Sequence, residues 1–304
     1  SILRSVGDSR TPFIFLALSA VLNIFSGFIL YRSAETWMCR SCHCNHFRTG
    51  DQWNLVPYFY YPQNETSVAQ ERKQDNKKGD VVKELLAMGM PTGLQFSITA
   101  IGSMVMQSAN NGLGSTYVSA FTAAMKIKQF TMCPFDAIAT SASVFCSQNL
   151  GAGQSDRIKK GLRCGITVGV GYGIAAGILL IFAGRTLSML FVGKSAVAVL
   201  DASAKYLRCM GFFYWSLGIL NVARMVTQGL GYSGRAVFSG VTEMIARTVV
   251  CLGFVGLLAS HAICFADQTA WITATCYIFP TCLWCIRKST KMLASIAVRV
   301  NNAS

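Results

Sequence analysis

The chain has 304 residues, of which 52% are hydrophobic and 13% charged, against about 25% charged in ordinary soluble domains. That composition excludes a soluble globular protein. The 27 basic and 13 acidic residues give a formal net charge of +14. The basic residues cluster in short loops between apolar spans, which is the positive-inside pattern of a membrane protein and not the basic face of a nucleic-acid binder. Twelve cysteines lie scattered through apolar spans, where reduced, small hydrophobic side chains are expected rather than a disulfide framework. No stretch has the order of a secretory signal. The chain opens at Ser1 instead of Met, so a further N-terminal part is expected.

The first predicted element is a polar turn, with Gly7 for a tight bend and Pro12 to open a helix, followed by an uncharged span to Tyr31. Arg4 and Arg10 place its start in the cytoplasm, and Asn23 is the strongly polar side chain within it, suited to an interhelical hydrogen bond or a ligand. Residues 32–63 change character. Glu35, Arg40, His43, His46, Arg48 and Asp51 rule out a span there. Residues 64–84 form a basic cytoplasmic linker. One crossing between two cytoplasmic loops violates parity, so a helix is missing. Cys39, Cys42, His43, Cys44 and His46 are packed as zinc ligands can be, yet a structural site takes a second ligand pair from a separate segment and none accompanies them. Reading the codons one nucleotide later turns Trp37 and Met38 into Gly and Cys. The same shift permits Ala, Ile and Thr at the Cys and His positions that follow, a small-residue apolar run suited to a close-packed membrane helix. The segment is therefore expected to be out of frame and to carry no metal.

The central stretch follows. Residues 85–109 are uncharged and long enough to cross a hydrocarbon core of about 30 Å. A turn without charge at 110–115 leads to a span over 118–148 that holds Lys126, Lys128 and Asp136, with Pro134 among them. Ionisable groups at membrane depth face a cavity or a partner, and Lys128 and Asp136 share a face two turns apart, so pairing and cavity lining both stay open. The polar string SQNLGAG at 147–153 and a basic loop through Arg157, Lys159, Lys160 and Arg163 return the chain to the cytoplasm. A Gly-rich span over 162–182 places Gly165, Gly169 and Gly173 at four-residue spacing for close packing. The amphipathic segment 185–208 carries basic residues on the outer side, against the rule. A span over 206–226 contains Tyr214, Trp215 and Asn221 and is followed by the turn TQGLGYS at 227–233. That turn echoes the start of the chain at one constant offset, Gly7 with Gly231 and Ser9 with Ser233, as two halves built from one repeat would. Glu243 and Arg247 then have the i, i+4 spacing of an ion pair. After a short outer turn at 260–262, the last span over 263–285 has Asp267 and Trp271 near its outer end, and a basic tail occupies 289–304.

These residues resemble the multidrug and toxic compound extrusion (MATE) family. The resemblance is carried by LRSVGDSRTP with Asn23, GMPTGLQFSITAIGSMVMQ, SQNLGAGQSDRIKKG, TQGLGYS, Glu243 with Arg247, and Ala266-Asp267 with Trp271. It implies an all-α polytopic fold of two six-helix lobes around a cleft. This chain then holds the end of the first lobe (1–31), a scrambled segment (32–63), the linker, the complete second lobe (85–288) and the tail, with four helices preceding Ser1. It also implies secondary active export of organic cations in exchange for Na⁺ or H⁺, no catalytic chemistry, no cofactor beyond the coupling ion, and a multi-pass cell-membrane location. Asn23 matches an ion-coupling Asn of the family. The Asp that follows it there is Gly27 here, and a Glu found in the seventh helix of some members is Thr99. Gln95, Thr99, Gln107, Asn221 and Gln228 are expected to line the cleft as hydrogen-bonding partners of a small organic substrate. As written, half a cleft is expected not to transport. Two other readings are a related lipid-linked sugar flippase, hinted at by Lys126 and Lys128, and a membrane metal sensor built on Cys39 to His46.

Overall fold

A computed structural model describes residues 13–14, 17–18, 20–21, 78–193, 196–258 and 260–301. Residues Ser1–Val82 and Lys83–Ser304 separate as two compact units. In the first, the eleven described positions, 13–14, 17–18, 20–21 and 78–82, are helical. Asn23, the Cys39 to His46 cluster and the proposed out-of-frame segment lie outside the described residues.

The second unit is all helix among the described residues. The elements are α1 (Lys78–Asn111), α2 (Ser115–Gly151), α3 (Ser155–Ser188), α4 (Val197–Gly229), α5 (Ser233–Leu258) and α6 (Ser260–Asn301). Five contain segments long and apolar enough to cross a membrane: Leu85–Asn111, Ser155–Ser188, Val197–Gly229, Ser233–Gly253 and Cys264–Ser295. The exception is α2, whose apolar run is broken by the polar residues noted above. α4 is the central helix. It packs on α3, α2, α6 and α5, and its Leu207, Met210, Tyr214, Leu217 and Leu220 are all sealed from solvent.

The two polar strings that stood out in the sequence are helix stops of identical design. At the end of α2 the N–H of Gly153 bonds to the carbonyl of Leu150 (3.1 Å) and that of Gln154 to Asn149 (2.9 Å). At the end of α4, Gly231 bonds to Gln228 (2.9 Å) and Tyr232 to Thr227 (3.1 Å). Both are Schellman motifs, which satisfy the last carbonyls of a helix by placing one residue in the left-handed region. Gly153 has φ 71° and Gly231 φ 89°, where a Cβ is strained.

The glycine spacing of α3 is a packing seam with α4. A Cβ at Gly173 would stand 2.8 Å from Trp215 Cα and from the Tyr214 carbonyl, one at Gly165 3.1 Å from Val222 Cγ1, and one at Gly218 2.5 Å from the Gly169 carbonyl. Small residues let the two backbones touch, so dispersion contacts replace the hydrophobic drive that lipid does not supply. Gly177 joins the seam against Gly211, while a Cβ at Gly171 would meet nothing within 4 Å. On the outer side, Arg185 of α3 bridges Asp201 of α4 at 3.2 Å, so one of the four charges that broke the basic-inside rule is locally neutralised.

The seam gives substitutions of opposite sign. Gly173→Ala forces the α3–α4 backbones apart and is expected to destabilise by about 1–3 kcal/mol. Gly171→Ala meets open space and is expected to stabilise by about 0.5–1 kcal/mol through helix propensity. Thermal unfolding in detergent, followed by size-exclusion fluorescence, checks the pair.

Candidate functional site: a buried ion network across four helices

Burying a charge between membrane helices is costly unless a partner of opposite sign meets it. Among the described residues, five charged side chains solve that problem together. Asp267 on α6 is fully buried, and Glu243 and Arg247 on α5 are each 3% exposed. Lys128 of α2 donates to Asp267 Oδ2 at 2.5 Å, and the Tyr206 hydroxyl of α4 donates to the same oxygen at 2.6 Å. Arg247 Nε donates to Asp267 Oδ1 at 3.0 Å. Its Nη2 reaches Glu243 Oε1 one helical turn away at 2.7 Å. Arg224 of α4 closes the other end, with Nη2 2.7 Å from Glu243 Oε2 and Nε donating to Ser239 Oγ at 3.0 Å.

All four carboxylate oxygens are therefore engaged, and the network ties α2, α4, α5 and α6 into one body. Three cations face two carboxylates, leaving a surplus positive charge. Part of it is met by the Trp271 ring, whose centroid lies 5.1 Å from Lys128 Nζ, and part by the Thr99 carbonyl of α1, which accepts from Arg247 Nη1 at 3.4 Å. A further cation would enter a region that is already positive and find no free carboxylate oxygen. Chemically the arrangement is a clamp and not a cation site. No group of three His, Cys, Asp or Glu side chains able to hold a metal occurs among the described residues.

Beside the clamp lies an aromatic layer. Tyr214 packs edge-on to Trp271 at 5.8 Å and to Phe135 at 5.3 Å, and Phe135 packs edge-on to Tyr172 at 4.9 Å. The Tyr172 hydroxyl donates to the Thr131 carbonyl at 3.0 Å, and the Thr131 and Tyr214 hydroxyls share a bond of 2.6 Å. These bonds lie on the turn of α2 that precedes Pro134, which remains inside the helix. They brace the place where the ring removes one backbone donor.

The structure distributes the sequence-derived candidates as follows. Glu243 and Arg247 pair with each other. Lys128 meets Asp267 and not Asp136, while Lys126 and Asp136 are exposed on α2. Gln95, 1% exposed, accepts from Gln228 at 2.5 Å across α1 and α4. Thr99 Oγ1 and Asn221 Nδ2 are buried with no hydrogen-bond partner among the described residues. Gln107 is half-buried and donates to Asn111 at 3.5 Å. The sequence reading had not joined Arg224, Tyr206 and Asp267 to the cluster. A signal existed: of the five acidic residues between 85 and 288, Asp267 is the last in the chain, and an acid at membrane depth needs a cation from another helix.

Five potential spans packed around a sealed ion network define a multi-pass helical membrane protein. The chain belongs to the MatE family, whose model matches residues 91–253. It is 24% identical over 232 residues to the probable multidrug resistance protein YpnP of Bacillus subtilis (strain 168), covering 76% of this chain and 51% of that protein. It is 22% identical over 257 residues to the probable multidrug resistance protein YoeA of the same organism, covering 80% and 53%. The chain thus spans about half the length of these curated relatives. In fold it is similar to an outward-facing multidrug resistance MATE family transporter of the MOP superfamily, with TM-score 0.86, 16% identity, and coverage of 95% of this chain and 65% of that one. It is also similar to the Vibrio cholerae MATE transporter VcmN in its bent form, with TM-score 0.78, 16% identity, and coverage of 95% and 65%.

The clamp predicts a rescue. Asp267→Asn leaves Lys128 and Arg247 buried with too little counter-charge and is expected to cost about 3–5 kcal/mol, read as loss of the monodisperse peak after solubilisation. Adding Lys128→Met to Asp267→Asn removes one orphaned cation, and more than half of the monodisperse yield is expected to return.

Proposed function

We propose that the protein is a secondary active exporter that moves small organic cations out of the cell in exchange for Na⁺ or H⁺, with residues 78–301 forming the second of its two lobes. The observation that carries this reading is the outward face of α2. Lys126, Gln129, Cys133 and Asp136 follow one another at helical spacing on that face, all exposed, with Thr122 and Ser141 at its ends. The corresponding surface of α3 exposes Val168, Ile174, Ile178, Leu179 and Phe182. A stripe with an acid, a base and an amide at membrane depth suits water or a polar ligand, whereas the α3 face suits acyl chains. The relatives in Bacillus subtilis, named as probable multidrug resistance proteins, point the same way.

In this reading Asp136 is the counter-charge that a cationic substrate meets, with Gln129 as a hydrogen-bonding neighbour and Lys126 about 15 Å along the helix. Phe130, on the same side of α2 and 72% exposed, offers an aromatic face to a flat cation. Gln95, Thr99, Gln107, Asn221 and Gln228 supply further hydrogen-bonding groups toward the substrate path. Gln95 and Gln228 must first release each other to do so. The clamp keeps the second lobe rigid, so that it moves as a body during alternating access, and the coupling ion is held away from Glu243 and Asp267, whose oxygens are occupied. The flippase alternative relied on Lys126 and Lys128 as a basic cavity wall. With Lys128 turned inward onto Asp267, one of those two cations is no longer available to it.

The test uses the whole protein in proteoliposomes with imposed Na⁺ or H⁺ gradients. Asp136→Asn removes a charge-assisted contact of about 1.5–3 kcal/mol, so KM for an organic cation is expected to rise about tenfold or more while a neutral substrate is unaffected. Equal effects on both substrates, or none on either, would remove Asp136 from the path. Residues 78–301 bound one side of a cleft, so vesicles containing residues 1–304 alone are expected to show no efflux.

A further inference from the structure

We propose that the cytoplasmic end of the second lobe carries a binding site for the phosphate headgroup of an anionic membrane lipid. The site is an open groove of ≈ 600 Å³ lined by Lys159, Trp284, Arg287, Lys288, Thr290 and Lys291. Four of its six lining residues are cations from two helices, α3 and α6, and no carboxylate lines it among the described residues. The nearby Asp156 pairs with Lys159 at 3.5 Å, but both side chains are exposed, and a solvated pair of this kind leaves the other three cations of the groove without a counter-charge.

Three features distinguish this groove from a generally basic surface. The first is an aromatic floor fixed in place. Arg235 in the first turn of α5 stacks on Trp284 at 3.7 Å from the ring centroid. Lys288 Nζ lies 5.2 Å from that ring and 5.7 Å from the Tyr232 ring. The Tyr232 and Trp284 rings meet edge-on at 6.2 Å. Three elements thus hold the cations near one another despite their like charge, an arrangement that an anion between them would relieve. The second is an unsatisfied hydrogen-bond group: Thr290 lines the groove, and its buried Oγ1 has no partner among the described residues, a state that costs free energy until a donor or acceptor meets it.

The third is depth. The groove sits where the apolar part of α6 gives way to its basic end, and the first turns of α3, with Arg157, Lys160 and Arg163 beside Lys159, mark this side as cytoplasmic. Trp284 is 41% exposed and, with Tyr232, sits at the level where amphipathic rings line the headgroups. An anion bound there is presented by the inner leaflet itself, whose anionic lipids are drawn to clustered Lys and Arg. The open groove leaves a path for acyl chains to run along the neighbouring helices, which a free phosphate would not use.

The experiment measures lipid retention by native mass spectrometry on the full chain, purified from membranes and exchanged into detergent with phosphatidylglycerol or phosphatidylcholine. Retention of phosphatidylglycerol is expected to exceed that of phosphatidylcholine about tenfold or more. The preference is expected to vanish in Arg287→Ala/Lys288→Ala/Lys291→Ala and to survive in the control Arg157→Ala/Lys160→Ala/Arg163→Ala, which removes the same charge from the same face. Equal losses in the two triple variants would mean diffuse attraction and overturn the site. A charge-preserving Arg287→Lys/Lys288→Arg variant should retain the lipid, and failure to do so in a monodisperse sample counts against the proposal. Inorganic phosphate is the separating arm. If millimolar phosphate displaces the lipid completely, or binds where the lipid does not, the occupant is a free anion and the lipid assignment fails.

Discussion

The second lobe depends on the problem of keeping charge inside a medium that does not solvate it. Asp267 and Glu243 are stable at membrane depth because Lys128, Arg224, Arg247 and Tyr206 arrive from three helices with donors aimed at every carboxylate oxygen. Each charge is costly alone, and the set is tolerable only when α2, α4, α5 and α6 all take their places. The network therefore specifies helix position as much as it stabilises it. A rotation or slip of one helix would strand an ion, whereas an apolar core would allow it to repack.

Such a network demands short interhelical distances, and the remainder of the chain supplies them. The α3–α4 glycine seam brings two backbones into direct contact, which fixes the position of α4, the helix carrying Arg224, Tyr206 and the Tyr214 aromatic layer. The paired Schellman stops at Gly153 and Gly231 end α2 and α4 where the neighbouring helices must begin. Small residues, left-handed turns and buried ions solve successive parts of one packing problem. Removing side-chain bulk allows approach, and approach allows the charges to meet.

The surface divides according to the medium each part meets. Most of α1 and α3 presents aliphatic and aromatic side chains. The outward face of α2 is polar, and one end of the bundle is rich in Lys and Arg. This division separates two kinds of charge that the sequence shows side by side. Lys128 is sealed in the clamp, while Lys126, two positions earlier, is exposed with Asp136 on the polar stripe. A helix turns about 100° per residue, so neighbours in sequence face different surroundings, and only the packing of α2 against α3 and α4 decides which lysine is buried and which is left exposed.

The sequence by itself determined the class of fold, the glycine spacing of the seam and the Glu243–Arg247 pair. These follow from local quantities: hydropathy over a span, turn chemistry, and contacts one or two helical turns apart, which the chain encodes within a few residues. It also carried the family, through strings whose turn chemistry the structure now explains. The partner of Lys128 was decided by tertiary structure alone. On one helix Asp136 had the right spacing, but it is Asp267 of α6, distant in sequence, that Lys128 reaches. Likewise Arg224 stands near the end of the 206–226 span, where a lone basic residue normally reaches for water; the approach of α5 turned it inward to Glu243. Pairing across helices depends on relative rotation and depth, which packing sets and no single span records.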